Sequence, residues 1–172
     1  GHSYANYKTP NTNFALLVSE KFTEPFKEPI QYGQHIARLA NMLGGGILVQ
    51  RFGDLLEGRR STPERIKSSV ITPTLSCATP GDLSLVIPYR QMTSIIEMLQ
   101  ALDKIAPGTA SRYTLLYGIE VKFYSARVKL TNELETEGVK NLFTIGDGAG
   151  VTRGLLQASA SGVHVARTIC AR

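Results

Sequence analysis

Leu142-Phe143-Thr144-Ile145-Gly146-Asp147-Gly148-Ala149-Gly150 is the stretch on which the reading of this 172-residue chain turns. Four compact, mostly apolar residues bounded by glycine predict a buried parallel strand. Beyond the glycines, residues 155–169 place Leu155, Ala158, Ser159, Gly162, Val163, Ala166 and Ile169 on one helical face, most of them small. The ending therefore predicts strand, glycine-rich turn, helix. Such a turn presents the unpaired N–H groups and positive dipole end of a helix, which favour an anion. Gly148 and Gly150 would let a ligand approach the backbone with no Cβ in the way. Asp147, an acceptor-only carboxylate, suits ribose-like hydroxyls, while charge repulsion keeps it from facing a phosphate unaided. The pattern alone also admits a purely structural turn in which Asp147 caps the helix.

Working outward, residues 114–123 and 126–130 read as strands, and 107–108, a Pro-Gly pair, as a stop. Met92, Ile95, Ile96, Leu99 and Leu102 form a helical stripe, with Pro88 suited to the first turn. Residues 61–88 are broken by Pro63, Pro73, Pro80 and Pro88 and read as irregular with short extended pieces. Ile36, Leu39, Ala40 and Leu43 predict a helix over 31–43 that stops at Gly44-Gly45-Gly46. Ile47-Leu48-Val49 follows as a short strand, and Phe52, Leu55 and Leu56 as one or two helical turns before Gly58. The apolar run Phe14-Ala15-Leu16-Leu17-Val18 reads as a further buried strand.

The composition, 42% hydrophobic and 19% charged, is that of a folded globular chain. No apolar run reaches the roughly 18 residues a membrane span needs, and no signal-peptide pattern opens the chain. Cys77 and Cys170 stand in no metal-ligand spacing and suit a reducing compartment, hence a cytoplasmic location. The three histidines, one of them in Gly1-His2, which reads as a tag remnant, give no basis for a metal site. Part of the +5 formal charge lies in Arg51, Arg59, Arg60, Arg65 and Lys67. That cluster reads either as a solvated basic loop or as an anion site, and the absence of interleaved aromatic residues argues against nucleic acid.

A family resemblance enters at the C-terminal end. Residues 136–147, from Thr136 through Leu142-Phe143-Thr144-Ile145 to Gly146-Asp147, resemble the second FAD fingerprint of the glutathione-reductase-like flavoproteins, with a spacer after Thr136 one residue longer than the family's. Gly146-Asp147-Gly148-Ala149-Gly150-Val151-Thr152-Arg153-Gly154, followed by Gln157-Ala158-Ser159-Ala160-Ser161-Gly162, is similar to a family of uncharacterised bacterial and archaeal FAD-dependent dehydrogenases. Asn11-Thr12-Asn13-Phe14, Gln50-Arg51-Phe52-Gly53-Asp54-Leu55, Pro80-Gly81-Asp82-Leu83 and Gly118-Ile119-Glu120 resemble it too. The resemblance implies that Asp147 binds the ribityl chain of FAD and that 148–154 face the flavin and pyrophosphate. It implies backbone N–H groups of Thr152 and Arg153 near the flavin ring, and NAD(P) as an electron donor or acceptor. These flavoproteins begin with a G-x-G-x-x-G βαβ unit, which this sequence lacks.

The expectation is thus an α+β substrate domain over 3–125 with a mixed or antiparallel sheet. The C-terminal strand–turn–helix of a Rossmann-like FAD-binding domain follows over 126–172. The chain reads as the C-terminal fragment of an FAD-dependent oxidoreductase whose N-terminal half holds most of the cofactor, with self-association or local disorder of its tail expected. The alternative is a non-catalytic anion or nucleic-acid binding module using residues 51–67. Arg51 and Glu120 are candidate substrate residues; Arg51 with Asp54 also reads as an internal ion pair or helix cap, and Glu120 as an exposed strand residue. His164 reads as a surface residue and Cys77 as an incidental thiol. No catalytic residue is assigned.

Overall fold

The structure is a computed structural model; it describes residue 4, residues 6–123 and residues 127–172. Gly1, His2 and the expected 125–126 boundary, with Ala126 at the start of one expected strand, lie outside the described residues. The chain divides into two compact units, Gly1–Val121 and Lys122–Arg172.

The first unit is built on β1 (Leu48–Arg51), the central strand of a three-stranded mixed sheet. It pairs in parallel with β2 (Thr79–Pro80) and antiparallel with β3 (Leu115–Gly118), with Leu48 opposite Gly118 and Arg51 opposite Leu115. All four residues of β1 are buried. A central strand covered on both faces buries consecutive residues rather than alternate ones, so Gln50 and Arg51 must find polar partners inside. On the β2 side the Thr79 N–H donates to the Ile47 carbonyl (2.8 Å) and the Gly81 N–H to the Val49 carbonyl (3.0 Å).

Helix α1 (Pro29–Gly44) opens on proline and closes on Gly45, whose φ of 65° is the left-handed cap expected from the triple glycine. Helix α2 (Phe52–Leu56) follows β1 without a linker, and its first N–H groups, on Phe52 and Gly53, donate to the Thr114 and Arg112 carbonyls. A Cβ on Gly53 would lie 2.8 Å from the Arg112 Cβ and 3.0 Å from its carbonyl oxygen, so this backbone contact requires glycine. Helix α3 (Pro63–Lys67) was not expected within the proline-broken stretch, although Thr62-Pro63-Glu64 is an N-terminal signature. The Thr62 hydroxyl caps it by accepting from the Arg65 N–H (3.3 Å). Helix α4 (Tyr89–Asp103) buries Met92 and Leu99 and half-buries Ile95 and Ile96, with Pro88 as its N-cap. These elements close a core around Ala40, Leu48, Phe52, Leu55, Leu83, Val86, Met92 and Leu99.

The second unit holds α5 (Leu155–Cys170) and short bridged loops. Among the described residues the chain is therefore mixed α and β, with a small mixed sheet and five α-helices, as the α+β expectation required.

Five expectations are corrected. Residues 14–18 form no strand: apolar character favours burial, but a strand also needs a hydrogen-bonded neighbour, and the sheet ends at β2 and β3. Leu16 packs on the core, while Phe14 and Leu17 are exposed. The strand expected over 114–123 is regular only in β3, and within 127–130 only Leu130 bridges, to Thr136. Residues 142–145 are not a buried parallel strand. Phe143 makes a single antiparallel bridge to Glu135, and Leu142 and Ile145 are exposed, because the second unit offers no parallel neighbour among the described residues. Finally, α5 buries Ser161 and Val165 and half-buries Ala158, Gly162 and Thr168. Of the expected face, Ala158 and Gly162 are turned inward, while Leu155, Ser159, Val163, Ala166 and Ile169 are exposed.

Candidate functional site

The turn 146–154 is wound by glycine. Gly146 (φ 72°, ψ −166°), Gly150 (φ 69°) and Gly154 (φ 146°) take backbone conformations that L side chains rarely adopt. Between them Asp147–Ala149 forms a 3₁₀ turn, with the Gly150 N–H donating to the Asp147 carbonyl (3.0 Å). Gly148 differs from the other three. Its φ is ordinary and a Cβ built there meets nothing within 4 Å, so neither strain nor internal crowding demands glycine.

Asp147 closes the loop through its side chain. Its Oδ1 accepts from the Thr152 hydroxyl (2.7 Å) and from the Gly154 N–H (3.3 Å), the residue that caps α5. The structural-turn alternative is therefore realised in part: Asp147 does hold the start of the helix. Its carboxylate is nonetheless exposed, and Gly154 supplies no side-chain cap, so the N–H groups of Leu155, Leu156 and Gln157 lack intrahelical acceptors. Thr152 and Arg153 precede α5 rather than opening it, and the Arg153 N–H donates to Gln157 Oε1 (3.3 Å) instead of pointing outward. Val151 is half-buried, and Ala149 is buried with its carbonyl accepting from the Val128 N–H.

The turn thus presents a hydroxyl acceptor at a helix N-terminus. The exposed Asp147 carboxylate, bonded to Thr152 and Gly154, sits at the start of α5, and the space over Gly148 is open.

The tentative substrate residues lie in the first unit. Arg51 is buried, with its Nε 3.3 Å from Asp54 Oδ2, its Nη1 donating to the Arg65 carbonyl (3.1 Å) and its guanidinium over the Tyr113 ring. The ion-pair alternative for Arg51 and Asp54 is the one present. Asp54 is fully buried and accepts from the Ser61 hydroxyl (2.8 Å) and Arg59 Nε (3.0 Å), with Arg65 Nη1 at 3.7 Å. Burial pushes this carboxyl up, but the bonds from Ser61 and Arg59 and the charges of Arg51 and Arg59 outweigh it and hold the pKa below the ordinary value. Three of the five clustered cations are thus committed around one carboxylate. Glu120 is exposed just past β3. His164 is exposed, its Nε2 3.3 Å from the Asn132 carbonyl oxygen, and Cys77 and Cys170 are exposed free thiols.

Three stretches quoted for the resemblance meet directly. Gln50, fully buried, donates through Nε2 to the Arg59 carbonyl (2.9 Å) and Asp82 Oδ1 (3.2 Å), while its Oε1 accepts from the Leu83 N–H (2.8 Å). Gly118 packs beside Leu83, and a Cβ there would lie 3.0 Å from its Cδ2. Gln50, Ser61 and Asp82 were not singled out as partners, because only the folded pairing of β1 with β2 brings 50 and 82 together.

No family model matches the chain. It is 31% identical over 180 residues to an uncharacterised protein of Clostridium beijerinckii, an alignment covering 98% of this chain and 33% of that protein. The chain thus spans about a third of the length of the curated relative it matches. No helix among the described residues is long and apolar enough to cross a membrane.

Proposed function

We propose that this chain is the C-terminal part of an FAD-dependent oxidoreductase, in which residues 146–154 form the ribityl and flavin-ring end of the cofactor site. The observation that carries the reading is the glycine-wound turn, which sets an exposed Asp147 carboxylate at the N-terminus of α5 and leaves Gly148 open. When bound, FAD would supply the redox chemistry. The chain's own part is to orient the cofactor: Asp147 accepts from hydroxyls, and the first turn of α5 offers N–H donors to an electron-rich acceptor. The first unit would face the substrate, and NAD(P) would serve as electron donor or acceptor. The two exposed free thiols fit a reducing, cytoplasmic setting.

The anion-module alternative is less well supported, since Arg51, Arg59 and Arg65 already surround Asp54. Flavin absorbance of the full-length polypeptide after dialysis tests the proposal. Asp147→Ala removes a charge-assisted acceptor worth roughly 1.5–3 kcal/mol, so FAD affinity falls about tenfold or more. Gly148→Ala is the cleaner variant: its methyl enters open space, so thermal stability holds while FAD binding weakens. A full-length protein without flavin, or one whose FAD affinity is unmoved by both variants, refutes the assignment.

A further inference from the structure

We propose that Ser161 is a positioning residue for the Asp147 turn, setting the carboxylate against the helix N-terminus without touching the cofactor; this rests on the flavin reading above. Ser161 lies in the second turn of α5 and is only 8% exposed. Its hydroxyl does two things at once. It donates to the Ala158 carbonyl (2.6 Å) and accepts from the Gly146 N–H (3.1 Å).

The second bond is the informative one. With φ 72° and ψ −166°, Gly146 turns its N–H toward α5, and among the described residues that N–H donates to no backbone carbonyl. Asp147 is the next residue. Its exit side is tied to Thr152 and Gly154, so the turn is pinned at both ends, by Ser161 at the entrance and by the Asp147 carboxylate at the exit. Gly146 lies against the same helix face, where its added Cβ would come 3.8 Å from the Ala158 Cβ. Apolar contact alone leaves the peptide free to rotate, whereas a directional bond to a helix-fixed oxygen does not. Alanine at 161 fills the same space but leaves the Gly146 N–H without its acceptor.

Two measurements test this. In the 172-residue chain, Ser161→Ala raises amide hydrogen exchange at Gly146 about tenfold, the loss expected for one such bond. Exchange in the body of α5 stays as in wild type. In the full-length polypeptide the same variant weakens FAD binding about tenfold and alters the bound-flavin spectrum. Ser161→Thr, which keeps an oxygen able to bond the preceding turn, restores both. Unchanged Gly146 exchange with unchanged FAD affinity overturns the positioning role and leaves the flavin reading standing. Loss of protection throughout α5 also overturns it, because Ser161 would then be a general packing residue. Absence of FAD from the wild-type full-length protein overturns both.

Discussion

Asp54 concentrates the energetic risk of the first unit in one side chain. It is fully buried, and its charge is balanced by Arg51, Arg59 and Arg65 with a Ser61 hydroxyl on the remaining lone pairs. Removing one partner from a buried ion pair typically costs about 3–5 kcal/mol, because the other charge stays desolvated. Asp54→Asn is expected to lose that much in urea unfolding at neutral pH. The folded carboxyl titrates below its unfolded value of about 3.9. Its contribution is therefore complete above that value and disappears as pH falls through the lower folded one. The gap between wild type and variant should be constant from pH 7 to about 5 and narrow below about 4; a gap that widens on acidification contradicts this account. Arg51 and Asp54 stand three apart, so their pairing was legible in the sequence. Ser61 was not, because its place depends on a Gly81 carbonyl that accepts its N–H from across the sheet.

At the scale of elements, periodicity located helices better than strands. Helices α1 and α4 carry their stripes where 3.6-residue spacing puts them, and the glycines after α1 stop it as expected. The runs at 14–18 and 142–145 are apolar enough for strands, but a strand is defined by its neighbours, and no run of residues states whether a partner exists. Helix α5 was legible, its buried face only at Ala158 and Gly162. Small or apolar residues lie all round it, so the face at 158, 161, 162, 165 and 168 competes with the one at 155, 159, 163, 166 and 169. One consequence separates the two. Were Gly162 needed for close backbone approach, a methyl group would clash; here its Cβ would sit 3.7 Å from Ile145 Cδ1, an ordinary contact. Gly162→Ala should therefore stabilise the chain by about 0.5–1 kcal/mol through helix propensity. A drop in melting temperature would show that this reading of the face is incorrect.

The whole chain leaves much apolar surface outside its cores. Leu155 is 91% and Leu156 83% exposed, and Val163, Ile169 and Cys170 are exposed on the same side of α5. A face of this kind favours association. Sedimentation of the 172-residue chain should show mass rising with concentration, and the chain should stay colourless after incubation with excess FAD and dialysis. Stoichiometric retained flavin would show that it builds a complete site unaided. The glycine-wound turn was the part of the site most legible in the sequence, since three of its glycines answer to local backbone geometry. The anchoring of Gly146 by Ser161 was not, because it needs the helix folded back on the turn. The sheet carries a different kind of instruction. The N–H groups of Thr79 in β2 and of Gly81 just after it face β1, so the nitrogen of residue 80 points away from the sheet, and residue 80 is proline. That rim has no hydrogen to offer at the place where an incoming chain would bond. A foreign strand pairing on that flank would forgo one hydrogen bond, at the ring of a single residue.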